Sequence, residues 1–322
     1  MHLASEIVGP MMATAGYVVS GGAVAYSAYR LRRYGSAKTV PMLSVMSAFV
    51  FAAQMVNFPV GVSSGHLGGG ALVAVLLGPE AAIVSLAAVL TVQCLVFADG
   101  GLLALGVNVF NMGIVPAVTF AVVLRALGGV ADERRRRIAA AAVTSYLAVV
   151  AGAALVPFEI SYSKVNIPFG AFLGWMIGVH ALIGIGEVVI TTAAAAVLFR
   201  ARPELASSLA HSNMKVLPVA AGILAVALFT GAIVSNFAST APDGLEVSLA
   251  KSAASAEKPA ADGDGQERLP TSVMADYATP GIANNFLSSG IAGFTGTLVT
   301  FLLAFVVVRL VKSGRHSHDG TD

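Results

Sequence analysis

Charge is scarce in this sequence: Asp, Glu, Lys and Arg make up only 11% of its 322 residues. A soluble domain of this size needs about a quarter to cover its surface. There is one cysteine, Cys94, which excludes a disulfide framework or a thiolate cluster within the chain. It lies in the apolar run AAVLTVQCLVF and reads as an inert buried thiol. No Gly-Lys pair occurs anywhere, so no G-x-x-x-x-G-K-[ST] loop is present to cradle ATP phosphates. H-E-x-x-H is missing as well. Any uphill work would draw its energy from another subunit. No internal repeat is visible, which weakens a reading as a transporter built from inverted halves.

What the chain has is apolar length. Hydrophobic residues make up 57% of it, in repeated stretches near the length that crosses a bilayer. Nine spans are expected, near 10–31, 40–57, 67–78, 80–98, 102–128, 138–157, 168–199, 216–236 and 286–311. The third is short, ends at Gly78-Pro79, and is either a re-entrant segment or a tilted crossing. The fold class is therefore all-α: a polytopic membrane bundle of about seven helices, followed by two C-terminal transmembrane helices flanking an external loop. With the N-terminus outside, 15 of the 19 Lys and Arg residues fall on the cytoplasmic side, and the opposite orientation inverts that ratio. The same rule accounts for Arg134 to Arg137, so nothing points to nucleic acid; the lipid bilayer is the partner that composition demands.

The first 29 residues hold no Lys or Arg, so the basic region of a secretory signal peptide is missing. Met1 is expected to stay on the mature protein and face outside. The domains expected are 1–202, a cytoplasmic junction 203–215, a two-helix unit 216–312 with an external loop 237–285, and a cytoplasmic tail 313–322. Within that loop, Lys251 to Gln266 reads as a flexible linker rich in Ala, Ser, Pro, Gly and charge. His211 in the junction and His316 and His318 in the tail read as solvated.

Two segments carry possible metal chemistry. Met1-His2 presents an amine, an amide and an imidazole in succession. Amine and amide nitrogens close a five-membered chelate, and the amide with Nδ1 of His2 closes a six-membered one; an accidental second-position His is the alternative. NFPVGVSSGHLGGG, residues 57–70, faces the same side and sets His66 among glycines that allow close backbone approach. It is either a loop folded around a small object or a glycine-lined helix start.

Other polar groups lie in or near the spans. His180 and Glu187 are seven residues apart and share a helix face, where an intramembrane ionisable group needs a partner or a function. Structural glue and a coupling role are both open. Gly170, Gly174 and Gly178 form a small-residue ridge suited to close helix packing. Asp99 ends the fourth span, and Asn108 and Asn111 sit three apart on the fifth. These three either orient metal-bound imidazoles or make ordinary helix-end hydrogen bonds.

Taken together, Met1-His2, the NFPV…SSGHLGGG loop, Asp99-Gly100-Gly101, LGVNVFNMG at 105–113 and HALIGIGEVVIT at 180–191 resemble the nickel/cobalt substrate-capture subunits (NikM/CbiM type) of energy-coupling factor transporters. The resemblance covers residues 1–200, and TAPDGLE at 240–246 is similar to the small partner subunit often fused to them. It implies a Ni2+ or Co2+ substrate held by the Met1 amine, the His2 backbone nitrogen and the imidazoles of His2 and His66. Four nitrogens in a plane suit Ni2+. Asn57, Ser64, Asp99, Asn108, Asn111, His180 and Glu187 become candidates for a surrounding shell. The implied partners are a transmembrane coupling subunit and cytoplasmic ATPase subunits, and the implied location is a bacterial plasma (inner) membrane. Residues 3–6, LASE, depart from the family's usual acidic-Gly pattern. A secondary transporter or a membrane metal sensor using the His180/Glu187 face is the competing expectation.

Overall fold

The computed structural model describes residues 2–161, 163, 167–206, 215–254 and 272–313. Met1, Lys164, His211, the 255–271 part of the external loop and the tail from 314, with His316 and His318, lie outside the described residues.

The chain is a helical bundle of a multi-pass membrane protein. After a short N-terminal segment come α1 (Pro10–Tyr34) and α2 (Thr39–Gln54), a hairpin of β1 (Phe58–Val60) and β2 (Ser63–Gly65), then α3 (Gly70–Leu77) and α4 (Pro79–Phe97). There follow α5 (Leu105–Val109), a π turn (Phe110–Ile114), α6 (Val115–Ala126), α7 (Glu133–Ile160) and α8 (Phe169–Ala201). The C-terminal unit contains α9 (Val216–Ala232), α10 (Gly244–Ala253) and α11 (Asn285–Ser313). Among the described residues, five helical stretches are long and apolar enough to cross a membrane, and Thr39–Gln54 and Val216–Ala232 are shorter apolar helices.

The third expected span is resolved into two pieces. α3 has eight residues, so it rises only about 12 Å against roughly 30 Å of hydrocarbon. The extended run 63–69 ahead of it adds roughly 20 Å. Backbone of this kind survives at membrane depth only where protein satisfies it. Here the Ser64 amide donates to Pro242 O at 2.8 Å, the Gly68 amide donates to Glu187, and Gln54 Nε2 donates to Gly68 O at 2.8 Å. The Gly78 backbone, at φ 95°, breaks α3 from α4, and Pro79 opens α4.

One end of the bundle is marked by Arg30 beside Glu80 (3.4 Å) and by Arg137 Nη1 donating to Val75 O (2.7 Å). His2, His66, Asp99 and Tyr277 gather at the other end around a cavity.

A Cβ built on Gly170, Gly174 or Gly178 meets nothing within 4 Å, so the ridge stands open among the described residues. One expectation is corrected. Lys251 is helical rather than linker, because Asp243 and Glu246 form a capping box that starts α10.

Candidate metal site

The N-terminal segment is threaded into the bundle and clamped there. Leu3 is fully buried. Its amide donates to Asn108 Oδ1 at 2.9 Å, and its carbonyl accepts from Asn108 Nδ2 at 3.1 Å and from the Gly101 amide at 2.9 Å. One amide side chain thus reproduces a strand-like pairing with a single residue. Gly101 is required by close approach: a Cβ there would lie 2.0 Å from Ser5 N. The clamp sets His2 beside the Asp99-Gly100-Gly101 corner.

His66 arrives from the opposite direction, on the extended run between β2 and α3. The two imidazoles stack with centroids 5.4 Å apart and planes inclined by 17°. His2 Nδ1 lies 3.2 Å from Asp99 Oδ1, while among the described residues its buried Nε2 makes no hydrogen bond of ordinary geometry, Gln93 being the ring's other polar neighbour. His66 Nδ1 lies 3.3 Å from Leu67 O, so with the proton on Nδ1 the lone pair sits on Nε2. Burial pushes the pKa of both rings down, that of His66 well below the ordinary value of 6.5, although Asp99 opposes the shift at His2. Both rings are therefore neutral near pH 7, the form that ligates metals. Among the described residues, no three His, Cys, Asp or Glu side chains converge as a metal cluster. A cation here would need main-chain nitrogen.

The remaining candidates are placed less uniformly. Asp99 is in the ring's shell, and its Oδ2 accepts from the Tyr277 hydroxyl at 2.5 Å. Tyr277 belongs to the C-terminal unit, is held by stacking on Phe97 at 4.7 Å, and has its pKa pushed well up by burial and then by Asp99. Asn108 holds Leu3 rather than an imidazole, and Asn111 Nδ2 donates to Glu159 at 2.8 Å. Ser64 Oγ donates to Ala241 O (2.7 Å) and Asn57 O accepts from Ser239 N (2.8 Å). Those two residues therefore seat the PDGLE segment.

His180 Nδ1 donates to Met176 O at 2.8 Å, and Glu187 accepts from Gly68 N and from Thr191 Oγ1 at 3.3 Å. Both line a separate cavity of about 80 Å³, bordered by His66 and Asp243. Gly244 is a further glycine set by close approach, since a Cβ there would lie 2.7 Å from His180 Cε1. Gly61–Gly65 also has G-x-S-x-G spacing, but Ser63 sits in a hairpin and donates to Pro242 O at 3.2 Å. That is not the strand-to-helix elbow such a nucleophile needs.

Sequence reasoning passed over Glu159, Asp243, Tyr277, Gln54 and Gln93. Three had a signal: Gln54 and Gln93 are polar groups in apolar helices, and Gln93 Nε2 donates to Gln54 Oε1 at 2.8 Å. Asp243-x-x-Glu246 is a capping-box pattern. Tyr277 had none.

Residues 2–205 match the family described as "Cobalt uptake substrate-specific transmembrane region" (CbiM), and residues 217–313 match the PDGLE domain. The chain belongs to the CbiM family, with a PDGLE domain behind it. It is 33% identical over 321 residues to a putative fused nickel transport protein NikMN of Archaeoglobus fulgidus, covering 97% of this chain and 100% of that one. A fused nickel transport protein NikMN of Rhodobacter capsulatus is 30% identical over 220 residues, 64% of this chain and 63% of its own. The crystal structure of a truncated transition metal transporter superposes with a TM-score of 0.56 at 26% identity, over 62% of this chain and 99% of that one. A CbiM-family chain of this kind is a metal transport protein of nickel and cobalt relatives, and its relatives' names describe transport rather than catalysis.

Proposed function

We propose that this chain is the substrate-binding membrane subunit of an ATP-driven energy-coupling factor uptake system, and that it captures Ni2+, or Co2+, from the outside. The observation that carries the reading is the stack of His2 on His66, two partly buried imidazoles delivered from different parts of the chain to the floor of one cavity. The Met1 amine and the His2 amide complete a four-nitrogen set, which favours Ni2+. In the described conformation His2 Nδ1 faces Asp99. Chelation through Nδ1 turns the ring by half a turn about Cβ–Cγ. The turn exchanges Nε2 with Cε1, so the N–H remains on the carboxylate's side and Asp99 keeps its orienting role.

In this reading residues 1–202 form the capture domain, 203–215 a cytoplasmic junction, 216–312 the appended unit and 313–322 a cytoplasmic tail. The N-terminus is outside and the C-terminus inside a plasma membrane. A transmembrane coupling subunit and cytoplasmic ATPase subunits supply the energy. The PDGLE segment, paired to the His66 hairpin through Ser64, admits metal to the site. The competing reading, a secondary transporter or metal sensor, has the His180 and Glu187 cavity in its favour.

Reconstitution in vesicles separates these readings. Nickel uptake that needs the coupling and ATPase subunits together with ATP supports the proposal. Flux by the purified chain alone down a proton gradient contradicts it.

A further inference from the structure

The cavity above His2 and His66, about 710 Å³, carries side-chain charge of one sign among the described residues. Five carboxylate residues line it, Glu6, Asp99, Asp243, Glu246 and Asp276, and no described Lys or Arg does, so the N-terminal amine is the cation they face. Three of the five, Asp243, Glu246 and Asp276, belong to the C-terminal unit. The capping box fixes the first two: the Asp243 amide donates to Glu246 Oε2 at 2.9 Å and the Glu246 amide to Asp243 Oδ1 at 2.8 Å. Asp276 stands on left-handed backbone at φ 56°, next to Tyr277, which is anchored on Asp99.

An acidic cluster alone can be no more than a solvated surface. A second observation gives this one a purpose. The His2 side chain lines the same cavity at 10% exposure, and among the described residues its Nε2 makes no hydrogen bond of ordinary geometry. The negative walls thus lead to the imidazole that the metal-capture reading uses as a ligand, with one ring nitrogen still uncommitted.

We propose that the C-terminal unit works as an electrostatic collector, steering divalent cations into the cavity and so setting the rate of capture, and the affinity through it, while leaving the rate of release alone. This rests on the metal-capture reading and adds to it a division of labour between the two halves of the chain. A concave site with low-dielectric walls and charge of one sign focuses the field and raises the association rate of an oppositely charged ligand. Across roughly 10 Å of dilute buffer, one carboxylate attracts a doubly charged cation by somewhat more than thermal energy, worth about threefold in rate. Three such groups are worth roughly ten- to thirtyfold, and at high salt the advantage disappears.

The test neutralises the two exposed carboxylates of the C-terminal unit while keeping their shapes, leaving Asp99 and Asp243 in place, with Glu6→Gln, outside that unit, as a comparison. Glu246→Gln retains a capping-box acceptor, Asp276→Asn suits left-handed backbone, and Glu6→Gln alters one exposed side chain. Ni2+ association and dissociation rates are read by stopped flow on the full chain at low and high ionic strength. The Glu246→Gln/Asp276→Asn double variant is expected to load roughly tenfold more slowly at low salt and equally at high salt, with the dissociation rate and stoichiometry unchanged. Each single variant, with about a threefold effect, gives the same answer should the double fail to fold. An unchanged association rate at low salt, or a deficit that persists at high salt, overturns the collector and leaves the capture site standing. Failure of the unmutated chain to hold nickel overturns both.

Discussion

His2 and His66 stack 5.4 Å apart at 17°, yet each is placed by a different mechanism. His2 is set by a clamp on the residue after it, where Asn108 grips both polar groups of Leu3. His66 is set by an extended run whose amides and carbonyls are tied to α2, α8 and the PDGLE segment. The site is therefore a junction between two supports, and each support can be removed by itself.

His66→Ala removes one of the two imidazoles while leaving the clamp intact. Purified protein is expected to retain no nickel through gel filtration, with thermal unfolding of the metal-free form unchanged. Nickel retained at the wild-type level would place the ligands elsewhere, with His180 and Glu187 next in line.

Gly101→Ala attacks the other support. The new methyl would lie 2.0 Å from Ser5 N, so the N-terminal segment must leave its groove while the helices keep theirs. A competition titration should show nickel affinity lower by roughly tenfold or more, with the unfolding midpoint held.

Tyr277→Phe keeps the ring that stacks on Phe97 and deletes only the hydroxyl that donates to Asp99 at 2.5 Å. Loss of an orienting partner of this kind costs about 10- to 100-fold in metal affinity. The effect should vanish in an Asp99→Asn background. Equal losses in both backgrounds would mean that Tyr277 acts through packing and not through Asp99.

Burial holds the His2 and His66 pKa values below 6.5, so near pH 6.5 the folded rings carry fewer protons than free imidazoles. Nickel binding should then displace few imidazole protons, and the released protons should come from the amine, whose ordinary pKa is about 7.7–8.0, and from the His2 amide, which gives up its proton to bind metal. The stability linkage has the opposite reference point: below 6.5 the unfolded imidazoles gain protons that the folded ones refuse, so metal-free stability falls as pH falls. Calorimetry in buffers of differing ionisation enthalpy counts the protons. About two protons per nickel at pH 6.5, from amine and amide, is the expected count; about three, as an unshifted imidazole pair would give, would contradict the neutral pair.

Much of this was legible in the sequence because it depends on local chemistry. Apolar length gave a helical membrane bundle, and five ordered motifs gave the family. His2 and His66 could be singled out by their neighbours, an N-terminal amine in one case and glycines in the other. What could not be read was contact at long range. Asn108 and Asn111 were visible as polar groups three apart, but only the fold decides that one holds Leu3 and the other Glu159. The third span was legible as short, re-entrant or tilted, but a hydropathy run has no way to show that an extended stretch precedes α3, held in hydrogen bonds by Gln54 and Glu187. Tyr277 was invisible, since nothing near it in sequence marks a residue that reaches Asp99 from the far domain.

The central claim is that the metal is held by the chain's own N-terminus together with His66. It is tested most directly by counting nickel per purified chain, with the native N-terminus and with one alanine inserted before Met1. The insertion keeps every side chain and moves the amine out of the His2 chelate. About one nickel in the native protein and none in the extended form is the result expected for a chelate of this donor set. Equal loading of the two forms would contradict it.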